Sequence, residues 1–107
     1  MTEPSPLLIL CTCPDAGSAA AIARALVEER LAACVNRVPG LTSVYRWQGE
    51  IHEDSEVLLL VKTRRELFEP LRARLVALHP YDVPEVIALD ITAGHAPYLE
   101  WLRTETA

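Results

Sequence analysis

Apolar residues in this chain fall into short unbroken runs and one clear helical stripe, and together they predict alternating strands and helices. Leu7-Leu8-Ile9-Leu10-Cys11-Thr12-Cys13 is a run of strand length stopped by Pro14. Asp15 is a good N-cap, and Ala19, Ile22, Ala23, Leu26 and Val27 recur at i, i+3, i+4, i+7 and i+8. That stripe predicts an amphipathic helix to about Leu31. A second strand begins near Ala33-Cys34-Val35, breaks at Pro39-Gly40 and resumes through Ser43-Val44-Tyr45-Arg46-Trp47. Gln48-Gly49 offers a hairpin turn, and Glu50 to Lys62 returns, ending in the apolar run Val57-Leu58-Leu59-Leu60-Val61.

Thr63-Arg64-Arg65-Glu66 has the form of a capping box ahead of a second helix, whose buried stripe would be Phe68, Leu71, Leu75 and Leu78. Pro70 would remove a hydrogen bond from that helix, which points to a start two or three residues later. His79-Pro80-Tyr81-Asp82-Val83-Pro84 is a loop stiffened by two prolines, and Val86 to Ile91 is a fourth strand. Pro97 suits the first turn of a short last helix with Tyr98, Trp101 and Leu102 on one side. The order β-α-β-β-α-β plus a C-terminal helix is that of the α+β, ferredoxin-like split βαβ sandwich. It occupies one domain over residues 1–107, with residues 1–6 expected to be flexible.

Two helices cover one face of such a sheet, so strands with a wet second face should alternate apolar and polar residues. The first strand does not: Leu7, Ile9 and Cys11 share one face and Leu8 and Leu10 the other. Val57 to Val61 and Val86 to Leu89 are similarly apolar. Both faces are therefore expected to be buried, the second against another copy of the chain. The hairpin around Trp47 is long enough to project past its own sheet and pair with a neighbour.

Composition narrows the functional classes. A chain of 107 residues that is 50% hydrophobic and 23% charged builds a core. Its net charge of −5 and single lysine, Lys62, do not suit a phosphate backbone or an anionic membrane surface. Met1 to Pro6 lacks the basic region of a signal peptide, and the run Leu7 to Cys11 is too short to span a membrane. Three cysteines, Cys11, Cys13 and Cys34, make no complete disulfide framework, so a reducing cytoplasm is the expected compartment. Neither nucleic acid nor membrane is expected as a partner.

The topology predicts one chemically active rim. The C-terminal end of the first strand, with Cys11 and Cys13, lies near the loop that enters the fourth strand, His79 to Glu85. Thiolate, imidazole and carboxylate together suit a copper- or zinc-like ion. Cys11, His79 and Glu85 are the expected ligands; Cys13 shares Cys11's face but follows the strand's end. Each has a plainer reading as well. A buried cysteine fills space, His79 could cap the second helix, and Glu85 could be a surface charge. Cys34 is most simply a core residue, and His52 and His95 are expected in solvent. Trp47, Tyr81 and Pro84 are expected to line a cleft at a subunit boundary, and Trp101 is a further aromatic candidate for a pocket. No GxSxG, P-loop, GxGxxG or HExxH motif is present, so an enzyme is not expected. A Cys11–His79 hydrolase is the remaining enzymatic alternative, and no organic cofactor is implied.

Several spaced blocks resemble the divalent-cation tolerance (CutA) family. They are Leu10-Cys11-Thr12 with Pro14-Asp15, Leu31-Ala32-Ala33-Cys34-Val35-Asn36 with Pro39-Gly40, and Ser43 to Gly49. Ser55-Glu56-Val57 with Lys62-Thr63, His79-Pro80-Tyr81 with Val83-Pro84-Glu85, and Tyr98-Leu99 with Trp101-Leu102 complete the set. The resemblance implies a homotrimer of ferredoxin-like subunits, tolerance to divalent cations, and binding of copper or other divalent ions through Cys11 and His79. Some family members carry a second histidine where this chain has Leu78. The architecture also resembles the trimeric PII proteins, and the alternative function is a signalling or scaffold trimer that takes a small molecule or a protein in its inter-subunit clefts.

Overall fold

The computed structural model describes residues 5–107. Its elements are β1 (Pro6–Cys13), α1 (Ala16–Glu28), β2 (Cys34–Trp47), β3 (Glu50–Arg64), α2 (Phe68–Leu78), β4 (Ile87–Asp90) and α3 (Ala96–Glu105). The sheet runs β2-β3-β1-β4 with every neighbouring pair antiparallel, the ferredoxin-like order expected from the sequence. Residues 1–4 of the segment expected to be flexible lie outside the described residues; Pro6 is already paired with Arg64, and Ser5 accepts a backbone bond from Arg65 N–H.

Local chemistry sets the boundaries. Asp15 is extended and its carboxylate accepts from Ser18 N–H at 2.7 Å, starting α1 as an N-cap. The helix stops at Glu28, short of the expected Leu31, because Arg30 turns left-handed (φ 59°). Leu31 and Ala32 N–H then both bond back to Leu26 O. The break expected at Pro39-Gly40 is a bulge inside one continuous β2. Val38 faces Leu58 and Leu41 faces Glu56, so β2 carries one extra residue, and Gly40 takes the positive φ of 83°. Gln48 (φ 51°) and Gly49 (φ 82°) make the two-residue turn between Trp47 and Glu50.

One expectation fails at the start of α2, while the later start that Pro70 implies is found at Phe68. Thr63 does not cap it: Thr63 belongs to β3 and its hydroxyl donates to Leu31 O at 2.7 Å, stitching β3 to the exit of α1. A short 3-10 turn, Arg65–Leu67, precedes the helix instead. Pro70 thereby falls third in α2, where its missing N–H has no intrahelical acceptor to lose. The stripe is also narrower than expected, since Leu71 and Leu75 are buried and Leu78 is exposed. β4 is four residues rather than six. Val86 packs against the core without joining the strand, and Ile91 N–H reaches Pro6 O beyond its end.

The core lies between the helices and one face of the sheet. Ile9, Cys11, Cys13, Leu59 and Val61 meet Ile22, Leu26, Leu71 and Leu75 there. Strand parity puts Leu8, Leu10, Leu58 and Leu60 on the opposite face, half-buried, and leaves Ile87 (51%) and Leu89 (48%) of β4 open. α3 covers one end of that face, where Arg64 donates Nε to Thr106 Oγ1 at 3.0 Å and Nη2 to Thr106 O at 2.6 Å. Cys34 is therefore not a core residue: it pairs with Lys62 on this second face and is half-buried. Along β3, β1 pairs only with Val57 to Arg64, so the far halves of β2 and β3 project beyond it as an arm. This is the overhang that the hairpin length predicts.

Candidate metal centre

β1 ends by sending alternate residues to opposite faces of the sheet. Cys11 and Cys13 go inward and are 0% exposed, while Thr12 between them faces the other side. His79 ends α2, and its backbone N–H bonds to Leu75 O. Its ring is turned into the protein and the residue is 7% exposed. Its Nε2 lies 2.9 Å from Thr12 O, and its Nδ1 accepts from Tyr81 N–H at 3.1 Å. A carbonyl only accepts and a backbone N–H only donates, so this pair of bonds fixes the neutral Nε2–H tautomer. A charged imidazole capping the helix dipole is thus not the arrangement found.

The donor atoms of Cys11, Cys13 and His79 all lie within 4.8 Å of one another. The hydrogen bond between the two thiols raises the Cys11 pKa, and burial and the nearby charges of Cys13, Glu85 and Glu56 raise it further. The same bond lowers the Cys13 pKa against the opposing effect of burial. A fully buried Cys11 with a raised pKa is the reverse of an activated nucleophile, which argues against the hydrolase reading.

The structure brings Cys11 and His79 together as the sequence suggests, and it adds Cys13 as an equal member. The two-residue period that puts Cys13 on Cys11's face was the available sign, and the ladder holds because Cys13 still pairs with Val57. Glu85 does not join the group. It is exposed and lines a pocket of about 640 Å3 on the other side of the rim, together with Trp47 and Tyr81. Glu56 lines the same pocket, 7% exposed, and accepts from the Tyr81 hydroxyl at 2.8 Å. Sequence reasoning missed Glu56 as a site residue, although it stands immediately beyond the last β3 residue paired with β1. Pro84 is half-buried and off the pocket wall, and Trp101 instead packs on Tyr98 with ring centroids 5.5 Å apart. His52 is stacked on Tyr45 across the hairpin at 5.4 Å and is not free in solvent as expected; His95 is exposed.

Fold and cluster define a ferredoxin-like domain with a sealed thiol–imidazole group at the end of its first strand. The chain belongs to the CutA1 divalent ion tolerance protein family, whose family model matches residues 7–105. It is 61% identical over 99 residues to the divalent-cation tolerance protein CutA of Thermus thermophilus, covering 92% of this chain and 96% of that one. A solved structure of the divalent cation tolerance protein from Thermus thermophilus superposes with a TM-score of 0.93 at 59% identity, covering 95% of this chain and 99% of that chain. The chloroplastic protein CutA of Arabidopsis thaliana is 51% identical over 105 residues, covering 98% of this chain and 57% of its own length. The chain thus spans almost all of the bacterial relative and little more than half of the plant one.

Proposed function

We propose that the chain acts as a cytoplasmic homotrimer that binds copper, or another divalent metal ion, at Cys11, Cys13 and His79, and thereby contributes to divalent-cation tolerance. The observation that carries this reading is the convergence of two thiols and an imidazole within 4.8 Å. Two sulfurs and one nitrogen suit a soft ion such as Cu(I). A closed zinc site would want a fourth protein ligand. Occupancy requires the thiols to lose protons and His79 to release the Thr12 or Tyr81 bond, so binding is coupled to pH. Glu85 supplies negative field to the rim rather than a ligand, consistent with its effect on Cys11.

Association is supported by the apolar second face of the sheet and by exposed Val44 and Ile51 on the projecting hairpin arm. A reducing compartment is supported by three free cysteines. Among the described residues, no helix is long and apolar enough to cross a membrane. The test is competition titration of the reduced protein with Cu(I) against a chromophoric chelator, repeated with Cu(II) and Zn(II). Stoichiometric Cu(I) uptake, lost in Cys11→Ser and Cys13→Ser, is expected. Unchanged affinity in a Cys11→Ser/His79→Ala double variant overturns the assignment.

A further inference from the structure

The ring of His79 serves two backbone groups at once: Nε2–H donates to Thr12 O at 2.9 Å, and Nδ1 accepts from Tyr81 N–H at 3.1 Å. A neutral imidazole has one lone pair for a metal ion and carries its proton on the other nitrogen. If Nδ1 ligates, its lone pair is no longer there for Tyr81. If Nε2 ligates, the ring proton moves to Nδ1, which then points one N–H at another. The Tyr81 bond is therefore lost whichever nitrogen takes the ion, whereas the Thr12 bond survives when Nδ1 is the ligand and then orients the ring.

The bond that must break is half of what fastens the loop between α2 and β4. Pro80 and Pro84 have no N–H to give. Among the described residues, residues 80–85 make two hydrogen bonds within the chain, and both come from Tyr81: its N–H to His79 and its hydroxyl to the Glu56 carboxylate at 2.8 Å. Glu56 stands immediately beyond the last β3 residue paired with β1 and faces Leu41 just past the bulge of β2. One residue thus straps the loop both to the metal centre and to the root of the hairpin arm. We propose that metal occupancy of the thiol–imidazole group detaches the Tyr81 backbone from His79 and leaves the loop hinged on the Tyr81–Glu56 bond, so that the loop signals a filled site. This switch rests on the metal-binding reading above and adds to it the element that responds. Both bonds lie within one chain, and neither needs the loop to be open to solvent.

The experiment uses the full chain, reduced, deuterated and 15N-labelled, in its native solution assembly, with one equivalent of Cu(I) per chain as the probe. Uptake is followed separately by competition with a chromophoric chelator. Without metal, the Tyr81 nitrogen and His79 Nδ1 should show a scalar coupling through their hydrogen bond, and the ring proton should sit on Nε2. With Cu(I) that coupling should vanish, and the amide resonances of Tyr81 to Glu85 should shift while those of α3 stay in place. His79→Ala should move the same loop resonances without metal and show no further loop change with it. If His79→Ala does not fold, Tyr81→Phe takes its place: it keeps the backbone N–H and gives up only the hydroxyl bond, so residue 81 should again lose its coupling when Cu(I) is added. Stoichiometric uptake with the coupling intact overturns the switch and leaves the metal reading standing. No uptake overturns both.

Discussion

His79 Nε2 lies 2.9 Å from the carbonyl oxygen of Thr12, so the residue that ends α2 is bonded to the backbone between the two buried cysteines of β1. With Tyr81 N–H on its other nitrogen, the ring ties helix, strand and loop together at one point. His79 therefore has a structural role before any metal is considered. His79→Ala leaves a carbonyl and an N–H without their partner, and a loss of about 1–3 kcal/mol is expected in chemical denaturation. A stability equal to that of the unsubstituted protein would show that water replaces both bonds.

Burial of the cysteines is directly measurable with a thiol reagent. Cys11 and Cys13 are 0% exposed, whereas Cys34 is half-buried on the second face of the sheet. In the native reduced protein, one thiol per chain should react with an aromatic disulfide reagent, and Cys34→Ser should abolish that reaction. In denaturant three thiols per chain should react. Rapid native labelling of Cys11 or Cys13 would contradict the sealed cluster.

The N-cap of α1 gives a pH dependence with a definite sign. Ser18 holds the Asp15 pKa below its ordinary value, chiefly through the backbone N–H at the helix start. A depressed carboxyl pKa contributes stability that is present above the unfolded-state value of about 3.9 and is lost as pH falls through the lower folded value. Asp15→Asn keeps a capping acceptor, so it should hold stability at neutral pH and show a shallower loss below about pH 4. Asp15→Ala should be less stable than the parent at neutral pH. Thermal unfolding across that acid range, followed by circular dichroism, checks both.

The split between what the sequence foretells and what it hides follows from the range of the interactions. The stripe of α1 and the Gln48-Gly49 turn depend on period and local turn chemistry and can be read along the chain, and the position of β1 beside β4 follows from the element order of the split βαβ fold. Thr63 escapes a local reading because its hydroxyl bonds to Leu31 O, thirty-two residues earlier. Cys34 escapes one because only its pairing with Lys62 reveals which face it joins. The candidate site divides in the same way. Parity places Cys13 with Cys11, but nothing local shows that Glu85 opens on the opposite side of the rim and meets Glu56 there.

Self-association should depend on the exposed part of the second sheet face. Ile87 and Leu89 are about half exposed on β4, next to Leu8 and Leu10. Their substitution removes little from the core, so an Ile87→Lys/Leu89→Lys variant should keep its circular dichroism spectrum. If this face joins subunits, sedimentation velocity should show the variant as a smaller species than the parent. An unchanged sedimentation coefficient would move the interface elsewhere, with the projecting hairpin arm the next surface to alter.

Leu78 allows a sharper test of the metal reading, because some members of this family have histidine there. Leu78 is exposed at the end of α2, while its neighbour His79 is 7% exposed and turned into the core. Successive helical residues point about a quarter-turn or more apart, so a side chain at 78 is directed away from Cys11 and Cys13. Leu78→His should therefore leave the Cu(I) affinity of the three-donor group within about twofold of the parent, less than the tenfold change of about 1.4 kcal/mol. It should instead create a separate, weaker Cu(II) site at the helix end, detectable by electron paramagnetic resonance and abolished by diethyl pyrocarbonate. A large gain in Cu(I) affinity would mean that the end of α2 unwinds on binding to bring residue 78 inward, and the rigid three-donor geometry would have to be given up.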